Sequence, residues 1–158
     1  MARTRRAAQS APQEVLVPEA EQPYAVPENW RWVRLGSINF YRSENVNPAL
    51  SPDIFFELYS VPSSAEGYPE IAEGNNIGSV KQGVKKGDVL LCKINPRINR
   101  VWYVSAFTDN ILVASSEWFI FRNNQIDYKF IAFYFLCFHN HYIKSTDTLY
   151  RGIAYMCG

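Results

Sequence analysis

Nowhere in the 158 residues does an uninterrupted apolar run reach the roughly 20 residues that cross a bilayer, and the N-terminus lacks the apolar centre of a secretory signal. The expectation is a soluble, cytoplasmic protein with no membrane partner. Cysteine is scarce: Cys92, Cys137 and Cys157 are widely spaced and odd in number, which argues against a disulfide framework and fits a reducing compartment. Cys92, inside an apolar run, is expected to pack in a strand. There is no glycine-rich strand-to-helix loop to cradle a nucleotide, and no internal repeat, so no cofactor is implied. An apolar fraction of 47% is ample for a core, and the length predicts one domain.

Charge is missing locally as well. Residues 43–80 contain no Lys or Arg but carry Glu44, Asp53, Glu57, Glu66, Glu70 and Glu73. Residues 81–100 reverse this, with Lys81, Lys85, Lys86, Lys93, Arg97 and Arg100 against the single acid Asp88, in a chain whose formal charge is only +1. Opposite signs in adjoining segments predict a polarised surface. Cations clustered around turns attract phosphate, so the first candidate partner is nucleic acid, with a solvated lysine-decorated hairpin as the bland alternative.

Gly87-Asp88 is a turn signal, and the apolar runs 89–94 and 100–104 flank the breaker Asn95-Pro96-Arg97-Ile98-Asn99, which predicts a β-hairpin with a basic tip. Further strands are expected over 32–35, 54–61, 111–114 and 118–122. Asp127 is a plausible N-cap for an aromatic helix over 128–143, in which Phe130, Ile131, Tyr134, Phe135, Phe138 and Tyr142 recur at near-helical spacing. Residues 61–80, with Gly67-Tyr68-Pro69 and Glu73-Gly74-Asn75-Asn76, read as a long surface loop. The fold class is α+β: a twisted mixed or antiparallel sheet with the helix packed on it. Residues 1–22, rich in Ala, Pro, Gln and Glu and free of aromatics, read as a flexible tail, leaving 23–158 as the folded domain.

Four segments, taken in order, carry a resemblance. Pro27-Glu28-Asn29-Trp30-Arg31-Trp32-Val33-Arg34-Leu35-Gly36, Glu57-Leu58-Tyr59-Ser60-Val61-Pro62, Gly67-Tyr68-Pro69-Glu70-Ile71 and the run from Lys86-Gly87-Asp88-Val89 through Asn99-Arg100-Val101-Trp102 together closely resemble the target recognition domain of type I restriction-modification specificity subunits. The likeness extends over about 24–143. It implies a non-enzymatic host-defence component that reads one half of a split DNA target, while a methyltransferase subunit modifies an adenine and a restriction subunit translocates and cleaves. Full specificity subunits continue into a long spacer helix and then repeat both elements. Residues up to Gly158 resemble one N-terminal recognition domain that stops before that helix.

On this reading Lys81, Lys85 and Lys86 contact phosphates, where a point charge suffices. Gln82, Asn95, Arg97, Asn99 and Arg100 supply forked or long donors for base edges, and Lys93 completes the DNA-binding set. Three rival readings are weaker. Pro52-Asp53 with Asp127-Tyr128-Lys129 imitates a metal-dependent nuclease motif, but the second half would open a helix instead of ending a strand beside Asp53. Cys137-Phe138-His139-Asn140-His141 offers thiolate and imidazole, yet on a helix His139 points away from the other two and no fourth ligand is apparent, so packing explains it better. Asn95-Pro96-Arg97-Ile98 imitates a methyltransferase tetrapeptide but reads more simply as a turn. A protein-interaction module, using the many Trp, Tyr and Phe residues as an interface, is the remaining alternative.

Overall fold

The computed structural model describes residues 16–95, 98–143 and 152–156. The chain packs as two compact units, residues 1–38 with 147–158 and residues 39–146, where length alone suggested one domain. In the first unit β1 (Trp30–Arg34) pairs antiparallel with β10 (Gly152–Met156), joining the two ends of the chain, and runs into a single turn of helix, α1 (Leu35–Ile38). Trp32 and Val33 are buried on β1. The indole of Trp32 donates to the Tyr24 carbonyl at 3.1 Å and meets the Tyr24 ring edge-on at 5.1 Å. Composition placed residues 16–22 in the tail. The start of that stretch is instead tied down: Val17 is buried against Trp32 and donates its N–H to the Trp32 carbonyl at 2.9 Å, and Leu16 bridges Val33. One well-placed valine beside a tryptophan outweighs a polar average, because it removes apolar area from water. Residues 1–15 of the expected tail lie outside the described residues.

The second unit is an α+β fold built on two sheets. The five-stranded sheet has the order β2 (Asn45–Val46), β5 (Lys81–Gly83), β8 (Ile111–Ala114), β3 (Phe55–Tyr59), β4 (Glu70–Glu73); β3 and β8 are parallel and the other neighbours antiparallel. A three-stranded antiparallel sheet has β6 (Val89–Cys92) between β7 (Val101–Tyr103) and β9 (Trp118–Phe121). The expected hairpin is therefore β6–β7. All four residues of β6 are buried, as an unbroken apolar run of strand length requires when both faces are covered. Leu90 and Cys92 join Tyr59, Ala114, Trp118 and Ile120 in one core between the sheets. On the other side α2 (Tyr128–Ile143) packs against β6 and β7, and Phe135 meets Phe121 edge-on at 5.9 Å.

Helix α2 starts where Asp127 predicts, the carboxylate accepting from the N–H groups of Lys129 at 2.7 Å and Phe130 at 3.3 Å. Lys129 therefore follows a cap and not the end of a strand, so the nuclease-like Asp-x-Lys is a helix start. Residues 61–80 are not a structureless loop: they hold 3-10 turns at Pro62–Ala65 and Gly74–Asn76 and the edge strand β4, paired with β3 from Phe55↔Glu73 to Leu58↔Glu70. Cys92 is buried as expected, whereas Cys137, expected to pack, is exposed; the side chains of Phe138, His139, His141 and Tyr142 lie outside the described residues. Among the described residues no three His, Cys, Asp or Glu side chains come together in a metal-holding group, and no helix is long and apolar enough to cross a membrane.

Candidate nucleic-acid interface

Two buried carboxylates reshape the charge pattern read from sequence. Glu57, counted with the acidic surface, is fully buried on β3. Its oxygens accept from the Tyr59 hydroxyl at 2.6 Å, the Phe107 N–H at 3.0 Å, and the Thr108 N–H and hydroxyl at 2.8 and 2.7 Å. Burial alone would raise its pKa, but these donors outweigh it and hold the carboxyl below its ordinary value. The same burial, with the Glu57 charge alongside, pushes the Tyr59 phenol well above its ordinary value. Glu57 thus anchors the loop after β7, where Ala106 takes a left-handed φ of 55° and donates to the Tyr59 hydroxyl.

Asp88, the one acid of the basic segment, is also buried. Arg122 at the end of β9 grips it with two bonds, Nε to Oδ1 at 2.7 Å and Nη2 to Oδ2 at 2.6 Å, and the carboxylate raises the guanidinium pKa. Oδ2 also accepts the Lys85 N–H at 2.8 Å, while Asp88 N–H returns to the Lys85 carbonyl at 3.0 Å. This closes the turn Lys85-Lys86-Gly87-Asp88, with Gly87 at φ 88°, the position where a type II turn favours glycine. The turn is braced from inside, and both lysine side chains are left exposed.

The downstream tip of the hairpin is built differently. Asn95 is exposed and left-handed at φ 49°, a conformation asparagine tolerates, and its carbonyl accepts the Ile98 N–H at 2.9 Å. Pro96 and Arg97 lie outside the described residues. Asn99, expected to face bases, gives its amide N–H to the carbonyl of Leu136 and ties the tip to α2. Gln82 is committed as well, its amide donating to the carbonyls of Ser115 at 2.9 Å and Trp118 at 3.0 Å, which fastens the β8–β9 turn to β5. Lys81 bonds back to Ser79.

Among the described residues the ion pairs are Arg34–Glu21 and Arg122–Asp88, so Lys85, Lys86, Lys93 and Arg100 carry uncompensated charge. They do not form one patch. Lys85 and Lys86 precede β6 and Lys93 and Arg100 follow it, so the two groups lie beyond opposite ends of a four-residue strand roughly 13 Å long. Beside the upstream pair lies an open cleft of about 480 Å³, whose other wall is the β9–α2 loop and Tyr128. Sequence reasoning passed over that loop. Its signal was the amide run Asn123-Asn124-Gln125 between a strand and a helix.

No family model and no curated protein matches the chain. Solved structures do. The HsdS subunit from Thermoanaerobacter tengcongensis superposes with a TM-score of 0.62 at 24% identity over 72% of this chain. The fold is shared with an HsdS subunit. A chain from a structure on complex assembly and conformational transition of the type I R-M system superposes with a TM-score of 0.68 at 20% identity over 84% of this chain. The superposed part is 30% of the first structure's chain and 39% of the second's, so this sequence spans well under half of either.

Proposed function

We propose that this chain is a DNA target recognition domain of a type I restriction-modification specificity subunit, binding duplex DNA and reading one half of a bipartite site for methyltransferase and restriction subunits that perform the chemistry. The observation that carries the proposal is the set of free cations, Lys85, Lys86, Lys93 and Arg100, at the two ends of β6 on a fold shared with HsdS. Cations beyond the two ends of one rigid strand can meet phosphates on both sides of a major groove roughly 12 Å wide. Burial of Glu57 and Asp88 removes two acids from the surface that would oppose such an approach. On this reading the chemistry belongs to partners, and the acids placed above are committed to structure: Asp127 caps a helix, Glu57 anchors a loop and Asp88 braces a turn.

The test is fluorescence anisotropy of the 158-residue chain with duplex DNA over a range of salt. Binding should be weak, because a lone recognition domain lacks the second half-site and the tethered partners that multiply affinity. It should also fall steeply with salt, and replacing Lys85 and Lys86 with Ala should make the log–log slope shallower by about 2, evenly across sequences. Salt-independent binding, or none at low salt, overturns the proposal. It would favour the rival protein-interaction reading, for which Phe133, 68% exposed on α2, is the specific observation.

A further inference from the structure

The structure redistributes the amide side chains that could read bases. Of those the sequence marked, Gln82 and Asn99 have amide N–H groups bonded to backbone carbonyls, and Asn95 is exposed with no side-chain hydrogen bond among the described residues but stands at the tip, away from the cleft beside Lys85 and Lys86. Both N–H donors of Gln82 are used in this way, and Asn99 is held against α2 by one of its two. Across the cleft from Lys85 and Lys86, however, Asn124 and Gln125 are exposed, and neither side chain makes a hydrogen bond among the described residues.

Their backbone is fixed from both sides. The side chain of Asn123 accepts the N–H groups of Gln125 at 2.7 Å and Ile126 at 3.0 Å, and Asp127 caps α2 two residues further on. Arg122, immediately before the loop, is locked to Asp88. Two free amides therefore stand on a preorganised loop, so little ordering cost would oppose contact with a partner. The charges in the cleft sort the possible contacts. Lys85 and Lys86 on one wall attract phosphate; on the other, Arg122 is already neutralised and Asp127 is acidic, so the loop side disfavours phosphate and suits an uncharged polar edge.

Resting on the DNA-binding reading above, we propose that Asn124 and Gln125 are base-reading residues that contact adenine in the major groove, while Lys85 and Lys86 across the cleft hold the adjoining phosphates. The amide fork supplies one donor and one acceptor, the complement of the N7 acceptor and N6 donor that adenine displays there. Phosphate contacts set the register and the amides read the sequence.

The experiment selects bound sequences from a randomised duplex library with the full chain at low salt, then repeats the selection with Asn124→Ala/Gln125→Ala and with Asn124→Arg. The doubly truncated chain should lose preference at one or two adenine positions, with affinity for the selected site falling about ten-fold or more and affinity for unselected DNA unchanged, as loss of bidentate base contacts requires. Asn124→Arg should move the preference at its position towards guanine. If the unmodified chain selects no sequence, this inference and the DNA-reading function on which it rests both fall. If it selects a sequence and the doubly substituted chain selects the same one, this inference alone falls.

Discussion

The two sheets of the second unit each bury one carboxylate, and they use it in opposite ways. In the five-stranded sheet Glu57 is satisfied entirely by neutral donors and holds the loop of Phe107 and Thr108 against β3. In the three-stranded sheet Asp88 is held by the guanidinium of Arg122 and closes the turn that projects Lys85 and Lys86. Both acids were part of the charge runs in the sequence, and neither contributes to the surface field as a run would suggest. A buried carboxylate acts as a local bolt; what remains outside decides the partner. In the basic segment the bolt leaves free lysines, and in the acidic segment it leaves Glu66 and Glu70 exposed.

Breaking the charged bolt should have the larger effect. Asp88→Asn replaces an acceptor-only group with an amide whose donors face Arg122, leaving a partly buried cation without its counter-charge. The expected loss is about 3–5 kcal/mol of unfolding free energy, read as a lower urea midpoint. An unchanged midpoint would mean the Arg122 grip is not formed in solution.

Glu57→Gln breaks the neutral bolt and should cost about 2–3 kcal/mol, since one acceptor oxygen is lost and an amide hydrogen is turned towards the N–H of Phe107 or Thr108. Here the pH dependence adds a signature. The folded-state pKa of Glu57 is lowered from the unfolded 4.5, so its charged form stabilises the fold. That contribution is complete above the unfolded pKa and is lost as pH falls below it through the folded value. The wild-type stability curve should therefore decline on acidification below 4.5 more steeply than that of Glu57→Gln. Parallel curves would show that the ionised carboxylate does not hold the loop.

How much of this was legible beforehand follows from where each signal lives. Strands β3, β8 and β9, the β6–β7 hairpin and the start of α2 are written in local patterns: apolar runs of strand length, a Gly-Asp turn, and an Asp at the cap. Strand β4 was missed because Glu70-Ile71-Ala72-Glu73 is a four-residue edge between turn residues, and β10 because its partner β1 lies at the other end of the chain. The cations were legible as a group. Which amides remain free was not, because it depends on tertiary partners such as Leu136, 37 residues from Asn99, and Ser115 and Trp118, more than 30 residues from Gln82. The hairpin tip therefore stands out in the sequence and the β9–α2 loop does not.

The smallest effect should come from the downstream turn, and it completes the contrast between a turn braced internally and one tied to a helix. Asn99 ties the tip to α2 by a single neutral hydrogen bond at an exposed site, so Asn99→Ala should cost only about 0.5–1.5 kcal/mol of stability. Its consequence for binding depends on which turn reads DNA. If base reading lies in the β9–α2 loop, Asn99→Ala leaves the selected sequence intact and weakens binding modestly, because Lys93 and Arg100 on the same tip are held less firmly. If base reading lies at the tip, the same substitution both frees the tip and removes a reader, and preference at one position relaxes. Selection from the randomised library, run beside the Asn124→Ala/Gln125→Ala chain, separates the two. Loss of preference with Asn99→Ala and retention with the loop variant would return the reading role to the hairpin.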